Sequence, residues 1–279
     1  CRVPRPVAGF FLEDAPSMPE GDTVHKLAHF LDAELRGMAV AETRLHPALG
    51  QSRGAGRIDR VCCKGKHLYM RFEDGLSLRS HLGIYGAWHR YRAGEHWRKP
   101  RRQASIVLVT AAWTFVCFNA KEAEWLRDAG FRHRDGLTRL GPDLITEAPE
   151  PTGLVARMRS LWSPETLLVD VLLDQRVAAG IGNVYKSELM FLAGCPPSCT
   201  LGAADDDLLA GLYTQAAALL QANLGGGPRV TRPNHDGHGH LWVYGRAEKP
   251  CLRCGASVRR GLLGLRPRST YWCDGCQRS

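Results

Sequence analysis

The first periodic segment of the chain predicts a helix close to its beginning. Apolar side chains recur every three or four positions over residues 22–36, which is the spacing of an amphipathic helix. They are Val24, Leu27, Phe30, Leu31 and Leu35. Asp22 is placed to cap the first turn. Gly37 follows the last apolar position, where glycine commonly ends a helix.

Residues 40–118 have the pattern of a strand-rich region. Short runs rich in β-branched, aromatic and other apolar residues occupy 67–72, 76–79 and 106–110. Turn-forming residues, such as those at 73–75, separate the runs, as is typical of strands joined by tight turns. This part of the chain is therefore predicted to be a β-rich domain.

The periodicity becomes helical in the second half of the chain. A proline-containing stretch over 143–152 is typical of a linker. Helical spacing then predicts helices over 167–175, 184–192 and 205–223, and the glycine-rich run at 225–228 ends this region. The predicted domains are a β-rich domain at 18–147, a helical domain at 152–227 and a cysteine-bearing tail at 241–279.

Length and charge narrow the possible partners. The 279 residues suffice for two domains with buried cores. Lysine and arginine number 37 against 28 acidic residues, a formal net charge of +9, and this excess favours a polyanionic partner, most commonly nucleic acid. No apolar run approaches the roughly 20 residues of a membrane span. The apolar run at 7–12 is followed at once by acidic residues, unlike a secretion signal.

Four of the ten cysteines form a regular pattern at the end of the chain. Cys251 and Cys254 make one C-x-x-C pair, Cys273 and Cys276 make a second, and eighteen residues separate the pairs. This spacing predicts a four-thiolate zinc site, and four protein ligands make it a closed, structural site. We expect the six other cysteines to be reduced thiols of a cytoplasmic protein. These are Cys1, Cys62, Cys63, Cys117, Cys195 and Cys199.

Two further segments have residues suited to holding a phosphate. The glycines of Gly180-Ile181-Gly182-Asn183 permit close approach of a ligand, and Asn183 is placed to cap a helix whose first N–H groups bind anions. An ordinary turn between helices explains the same residues. Arginines between the cysteine pairs suit phosphate binding, with solvated surface charge as the alternative. They are Arg259, Arg260, Arg266 and Arg268.

The segment Met18-Pro19-Glu20 is typical of a translation start, because initiator methionine is removed before small residues. Its removal leaves Pro19 with a free secondary amine, which attacks an electrophilic carbon and forms an iminium. A proline inside a peptide bond has no such lone pair. We therefore expect residues 1–17 to be upstream sequence from a misplaced start, with a genuine short extension as the alternative.

Four motifs occur in the order found in one enzyme family. They are Met18-Pro19-Glu20-Gly21, Gly65-Lys66, Gly180-Ile181-Gly182-Asn183 and the paired cysteines between Cys251 and Cys276. These motifs resemble the Fpg/Nei family of DNA glycosylases, and within it the chain is most similar to actinobacterial endonuclease VIII-like proteins. The resemblance runs from residue 18 to 279 and implies an α+β fold. The expected N-terminal domain is β-sandwich-like with flanking helices, and the C-terminal domain is a helix–two-turn–helix domain with a four-cysteine zinc-finger hairpin.

The resemblance implies a bifunctional enzyme of base excision repair, which removes an oxidised base and then cleaves the strand by β,δ-elimination. Pro19 matches the nucleophile that attacks C1′ and forms the Schiff base, and Glu20 matches the acid–base residue that opens the sugar ring. Lys66 matches a second proton donor, and Arg268 matches the residue that holds the phosphate beside the lesion. The rivals for these last two roles are Lys64, which strand alternation would place on the face of Lys66, and Arg266.

The resemblance also implies contacts to DNA. Asn183 and Arg139 match DNA-contacting positions. Residues 80–86 match a loop that fills the gap left by a flipped nucleotide, with Ile84 and Tyr85 as the expected wedge. The alternative for Ile84 and Tyr85 is that they are ordinary core residues.

Three departures from the family pattern bear on the substrate. Gly83 replaces a polar gap-filling residue of some relatives, and Thr23 stands where many members have a second glutamate. Residues 225–241 are short where guanine-lesion enzymes carry a longer loop, which favours oxidised pyrimidines over 8-oxoguanine. We expect a monomer acting on damaged double-stranded DNA, with single-stranded or bubble DNA as further possible substrates. The histidines of 235–240 are interpreted as a solvated loop rather than a metal site.

Two other functions compete with the glycosylase hypothesis. The first is a non-catalytic binder of damaged DNA, which would follow if Pro19 stays blocked by residues 1–17. The second is a zinc-ribbon RNA-binding or transcription factor, but the Met-Pro-Glu-Gly segment and Gly65-Lys66 would then be coincidences.

Overall fold

The computed structural model describes residues 19–127, 140–233 and 236–278. The described chain forms two compact units. Of the described residues, the first unit contains Pro19 and residues 24–127. The second unit contains Glu20–Thr23, residues 140–233 and residues 236–278. Among the described helices, none combines the length and the hydrophobicity that crossing a membrane requires.

The first unit consists of two antiparallel sheets and most of one helix. Its elements are α1 (Gly21–Leu35), β1 (Ala39–Val40), β2 (Glu42–Leu45), β3 (Gly56–Lys64), β4 (His67–Phe72), β5 (Leu76–His81), β6 (Ala87–Arg92), β7 (Ala104–Val109), β8 (Trp113–Phe118) and β9 (Glu122–Arg127). One sheet has the order β1-β3-β4-β5-β9, and the other has the order β2-β7-β8-β6. The predicted helix and the predicted β-rich region are confirmed.

The larger core cluster of this unit lies between these sheets and α1. The apolar positions predicted for α1 are buried there, except for the partly buried Phe30, together with side chains from both sheets. Gly37 has a φ of +73°, which suits glycine and ends the helix as predicted. Two sheets that share one core define the β-sandwich-like domain expected from the sequence.

The second unit is helical and ends in a hairpin. Its elements are α2 (Pro151–Leu161), α3 (Leu168–Leu173), α4 (Asn183–Leu192), α5 (Asp206–Ala222), β10 (Val258–Leu263) and β11 (Arg268–Cys273). Three of the four helices match predicted segments to within two residues at each end. The sequence did not predict α2, which begins at Pro151. Proline is favoured in the first turn of a helix, so the same residue that suggested a linker starts the helix.

The tail packs on the end of α4. Phe191 of α4 forms a small core with Val243, Val258 and the metal-site cysteines Cys251 and Cys273. None of the nine cysteines in the described residues forms a disulfide.

Candidate functional site

The carboxylate of Glu20 lies at the start of α4. It is fully buried, and it accepts hydrogen bonds from the backbone N–H groups of Gly182 (2.9 Å), Val184 (2.7 Å) and Tyr185 (3.3 Å). The first N–H groups of a helix have no partner within the helix, and the helix dipole favours a negative charge there. The acidic side chain beside Pro19 is thus fixed by a helix more than 160 residues away in the sequence.

The glycines of the Gly-x-Gly turn are required because the segment that carries Glu20 and Gly21 packs directly against Gly180 and Gly182. A Cβ on Gly182 would lie 2.3 Å from Cδ of Glu20, and a Cβ on Gly21 would lie 2.8 Å from Cα of Gly180. Gly21 N–H also donates to the carbonyl of Gly180 (2.9 Å). The glycines therefore admit the segment that carries Glu20, rather than forming an ordinary turn between helices.

The expectation that Asn183 caps α4 is wrong. Gly182 occupies the cap position without a side-chain hydrogen bond to the helix, because Glu20 satisfies the free N–H groups. Asn183 is instead buried. Its Nδ2 donates to the carbonyl of Ser269 (2.7 Å), and its Oδ1 accepts from Nζ of Lys186 (2.7 Å).

Lys186 is a buried cation that the sequence analysis missed. Its Nζ also donates to Oγ1 of Thr270 (2.8 Å) and to the carbonyl of Ser269 (3.2 Å), both in β11. Burial lowers the pKa of Lys186 to about 8, with Glu20 opposing this shift. Lys186 thereby ties the first turn of α4 to the strand that begins with Arg268. Its spacing of three from Asn183 places the two side chains on one helix face, which is the only local signal for this pair.

Arg229 is the second charged residue that the sequence analysis missed. Its Nε and Nη2 bind both carboxylate oxygens of Asp22 (3.1 and 2.7 Å), and Nη2 also donates to Oγ1 of Thr23 (2.9 Å). Its Nη1 lies 3.9 Å from Oε1 of Glu20, and its guanidinium lies over the ring of Tyr185. Burial opposes the charge, but the carboxylates of Glu20 and Asp22 outweigh burial and raise the pKa of Arg229 above its ordinary value.

Lys66 lies in the turn between β3 and β4, within the first unit. Gly65 precedes it with a φ of +55°, which a glycine adopts without strain. The expectation that Lys64 and Lys66 share one face of a strand is wrong, because β3 ends at Lys64 and β4 begins at His67. The two lysines are therefore structurally distinct, and Lys66 is the one held in the tight turn.

Two histidines accompany this turn. The rings of His67 and His81 lie 4.9 Å apart, and Nδ1 of His67 lies 3.0 Å from Nη1 of Arg79. Burial lowers the pKa of His67 to about 3 and that of His81 to about 4. The charge of Lys66 also lowers the pKa of His81, while Glu122 opposes it. Both rings are therefore neutral near pH 7.

The loop after β5 presents two exposed apolar side chains. Ile84 is 46% exposed and Tyr85 is 76% exposed, so the alternative that they are core residues is wrong. Gly83 N–H donates to Nδ1 of His81 (3.0 Å). A Cβ on Gly86 would lie 2.3 Å from the carbonyl oxygen of Leu82. The loop is thus a fixed turn with Ile84 and Tyr85 at its outer side.

The four cysteines of the tail lie together, with all four Sγ atoms within 4.8 Å of one another. Sγ of Cys251 lies 3.8 Å from that of Cys276, and Sγ of Cys254 lies 3.4 Å from that of Cys273. A tetrahedral ion with bonds of about 2.3 Å to sulfur separates its ligands by about 3.8 Å. The cluster therefore fits a closed four-thiolate metal site.

The hairpin β10–β11 is anchored at both ends. The cysteines hold its base, and at its tip Leu265 N–H donates to both carboxylate oxygens of Asp170 in α3 (3.0 Å each). Arg268 is exposed at the start of β11, and Arg266 is exposed in the turn before it.

The predicted site residues divide between the two units. Glu20, Asn183 and Arg268 belong to the second unit, where Glu20 binds the start of α4, Asn183 binds the carbonyl of Ser269, and Arg268 is the exposed residue before Ser269 in β11. Pro19 and Lys66 belong to the first unit, as do Ile84 and Tyr85. Arg139 lies outside the described residues.

Comparison with known proteins identifies the family. The family model of the formamidopyrimidine-DNA glycosylase N-terminal domain matches residues 18–123. A Streptomyces coelicolor protein named probable endonuclease 8 2 is 40% identical, over 93% of this chain and 94% of its own length. The Mycolicibacterium smegmatis DNA-(apurinic or apyrimidinic site) lyase Nei2 is 37% identical, over 93% and 99%.

The fold matches solved structures of formamidopyrimidine DNA glycosylases. The Lactococcus lactis formamidopyrimidine DNA glycosylase, crystallised with DNA containing an AP site, matches with a TM-score of 0.79 at 20% identity. The match covers 94% of this chain and all of that one. The chain belongs to the Fpg/Nei family of DNA glycosylases.

Proposed function

We propose that this protein is a bifunctional DNA glycosylase and AP lyase of base excision repair, with damaged DNA as its partner and Pro19 as its nucleophile. The observation that carries the proposal is the buried carboxylate of Glu20, which is held by hydrogen bonds at the start of α4. Glu20 directly follows Pro19 in the sequence. Iminium chemistry with proton transfer needs an amine and a positioned acid–base group. The endonuclease 8 and Nei2 relatives support this activity. We expect a monomer that acts in the cytoplasm.

The proposed reaction begins with the free amine of Pro19. Its lone pair attacks C1′ and displaces the damaged base, which leaves with the electrons of the glycosidic bond. The N–H proton that Pro19 must lose after the N–C1′ bond forms passes to the departing base. Glu20 protonates the ring oxygen, the C1′–O4′ bond breaks, and a C=N⁺ bond forms between C1′ and Pro19. The iminium withdraws electrons, so the C2′ proton becomes acidic and the 3′ phosphate leaves. A second elimination releases the 5′ phosphate.

We assign the other predicted residues to steps of this reaction. Lys66 is the second proton donor during elimination, and Arg268 holds the phosphate beside the lesion. The nucleotide must leave the base stack before attack, and the exposed Ile84 and Tyr85 supply the apolar wedge that fills its place. Asn183 helps to position Arg268, because its side chain donates a hydrogen bond to the carbonyl of Ser269, the next residue in β11.

We propose that the four-thiolate cluster of the tail holds one structural zinc ion. Thiolate ligands at this spacing select zinc or iron–sulfur clusters, and two C-x-x-C pairs on a hairpin are typical of zinc fingers. Zinc would fix the base of the hairpin that carries Arg268.

We propose oxidised pyrimidines as the preferred lesions. Residues 225–241 are short where guanine-lesion enzymes of the family carry a longer loop. The backbone N–H groups of Thr231 and Arg232 both donate to the carbonyl of His240 (2.9 Å each), which holds these positions together. Duplexes with one thymine glycol or one 8-oxoguanine test the preference. Faster single-turnover removal of 8-oxoguanine would overturn it.

The experiment that tests the function is borohydride trapping on a duplex with one abasic site. Protein beginning at Pro19 is compared with protein beginning at Cys1, and with protein that carries one extra residue before Pro19. We expect a covalent adduct from the first protein alone. An adduct from all three proteins would assign the nucleophile to a lysine, with Lys66 first to be tested. No adduct from any of them would favour a non-catalytic binder of damaged DNA.

A further inference from the structure

The surroundings of Glu20 contain a charged group to which the proposed reaction gives no role. Arg229 is buried, with 6% of its side chain exposed, and Asp22 and Glu20 are each 1% exposed. A buried guanidinium is costly unless it is paired. This one has two carboxylates within reach and binds only one of them by hydrogen bonds.

The donor geometry of Arg229 divides its nitrogens between the two carboxylates. Asp22 occupies Nε and Nη2 in a bidentate pair, which fixes the guanidinium plane. The remaining nitrogen, Nη1, has no hydrogen-bond partner among the described residues and lies 3.9 Å from Oε1 of Glu20. The fixed plane therefore presents a positive charge to a carboxylate whose hydrogen bonds with the described residues come from the start of α4.

The backbone around Arg229 is held as firmly as its side chain. Val230 N–H donates to Oδ1 of Asn223 (2.6 Å), and Nδ2 of Asn223 donates to the carbonyl of Val230 (2.8 Å). Asn223 follows the last residue of α5 and is itself buried. The end of α5 thus fixes the position of Arg229, although exposed glycines precede it at 225–227.

We propose that Arg229 is a positioning residue for Glu20. Through Asp22 it holds the first turn of α1, and through Nη1 it balances the charge on the Glu20 carboxylate, so that this carboxylate keeps its place at the start of α4 as it gives and accepts a proton. The proposal rests on the proposed function, because it assigns Arg229 to the step that needs Glu20. It predicts a selective defect. Base removal depends on Glu20, because the sugar ring of an intact nucleotide must be opened by protonation. The sugar of a preformed abasic site is already in equilibrium with an open-chain aldehyde, so its cleavage depends mainly on the Pro19 amine.

The test compares two rates in Arg229→Gln, both with protein beginning at Pro19. We expect removal of thymine glycol to fall by about 10²-fold, the effect of a small misplacement of a reacting group, with cleavage of a preformed abasic site within about threefold of wild type. Arg229→Lys keeps the charge but not the fork of donors, and it should recover part of base removal. The matched control is Arg159→Gln, which breaks the ion pair of Arg159 with Asp206 and should change neither rate.

The double variant Asp22→Asn/Arg229→Gln separates the two contacts. If Arg229 acts on Glu20, the double variant stays defective in base removal. Full recovery in the double variant would mean that Arg229 only neutralises Asp22 and would overturn the proposal. Equal loss of both rates in Arg229→Gln, with a lowered melting temperature, would overturn it in favour of a purely structural role. Failure of the proposed function is distinguishable, because wild-type protein would then remove no base and form no borohydride adduct.

Discussion

Gly182 is the residue on which the placement of Glu20 most directly depends. Its backbone angles, φ −125° and ψ −163°, are open to alanine, so a substitution there tests contact rather than backbone strain. An added Cβ would lie 2.3 Å from Cδ of Glu20. We expect Gly182→Ala to slow base removal by about 10²-fold and to lower the free energy of unfolding by about 1–3 kcal/mol. Single-turnover kinetics and urea unfolding measure the two effects.

A second glycine supplies the control for this prediction. A Cβ on Gly211, within α5, would meet no atom of the described chain within 4 Å. Gly211→Ala should leave base removal unchanged and raise stability by up to about 1 kcal/mol, the difference in helix propensity. Wild-type base removal in Gly182→Ala would contradict the close approach.

Single residues could be predicted from the sequence only where their chemistry is local. Pro19 and Glu20 stand out because the sequence predicts an amine beside a carboxylate, behind a methionine that is typical of a translation start, and the cysteines stand out by spacing. Arg229 gives no such signal, because its partner Asp22 is 207 positions away. The cap predicted for Asn183 is wrong for the same reason, since a distant carboxylate takes that place.

At the scale of elements, Lys186 links α4 to β11, and its titration should be visible in stability. Its pKa is lowered to about 8 in the folded protein, against about 10.4 in an unfolded chain. Between these values the unfolded chain binds more protons, so stability should rise as pH increases through this window. Burial dominates this shift, Arg268 adds to it, and Glu20 and Asp170 oppose it.

Comparison with Lys186→Met isolates this contribution. The free energy of unfolding of wild type, relative to the variant, should increase by about 2 kcal/mol between pH 8 and pH 10, with a slope that stays below its limit of about 1.4 kcal/mol per pH unit near both pKa values. Urea unfolding at several pH values measures it. Parallel curves for the two proteins would mean that Lys186 keeps an ordinary pKa.

The hairpin β10–β11 should depend on its metal site. Cys273→Ser removes one of four thiolates, so we expect loss of bound zinc and weaker DNA binding through the displaced Arg268. Metal content by mass spectrometry and fluorescence anisotropy with an abasic-site duplex check both. Cys117→Ser, at a buried cysteine outside the cluster, is the control and should retain zinc. Wild-type DNA affinity without metal would contradict the structural role.

Elements were predictable where periodicity or turn chemistry was strong. The α1 pattern, the strand at 67–72, the strand predicted at 76–79 and found at 76–81, and three helices of the second unit follow directly from apolar spacing. The turn at Gly65-Lys66 was not recognised, because two residues between strands leave the alternation of polar and apolar positions nearly unbroken. The order of strands in the two sheets depends on pairings between distant segments, for which a single sequence carries no signal.

At the scale of the whole molecule, the net charge of +9 predicts DNA binding that weakens steeply with salt. Each phosphate that a basic residue neutralises releases counterions, and the logarithm of the affinity then falls against the logarithm of salt concentration by about 0.9 per phosphate. The slope therefore reports how many phosphates the protein contacts. A general positive charge also raises the affinity, but it does so without a fixed number of phosphate contacts. Titrations by fluorescence anisotropy over a range of salt concentrations measure the slope.

Three arginine variants of equal charge distinguish a local contact to DNA from attraction by the general positive charge of the surface. Arg268→Ala should reduce the slope by about 1, because Arg268 is assigned to a phosphate. Arg36→Ala removes the same charge from the end of α1, where Arg36 is 63% exposed and paired with Asp32, and should leave the slope unchanged. If Arg266→Ala reduces the slope in place of Arg268→Ala, the phosphate contact belongs to the turn of the hairpin instead of to β11. If all three variants change the slope equally and only slightly, the basic surface attracts DNA without a fixed contact at the hairpin β10–β11.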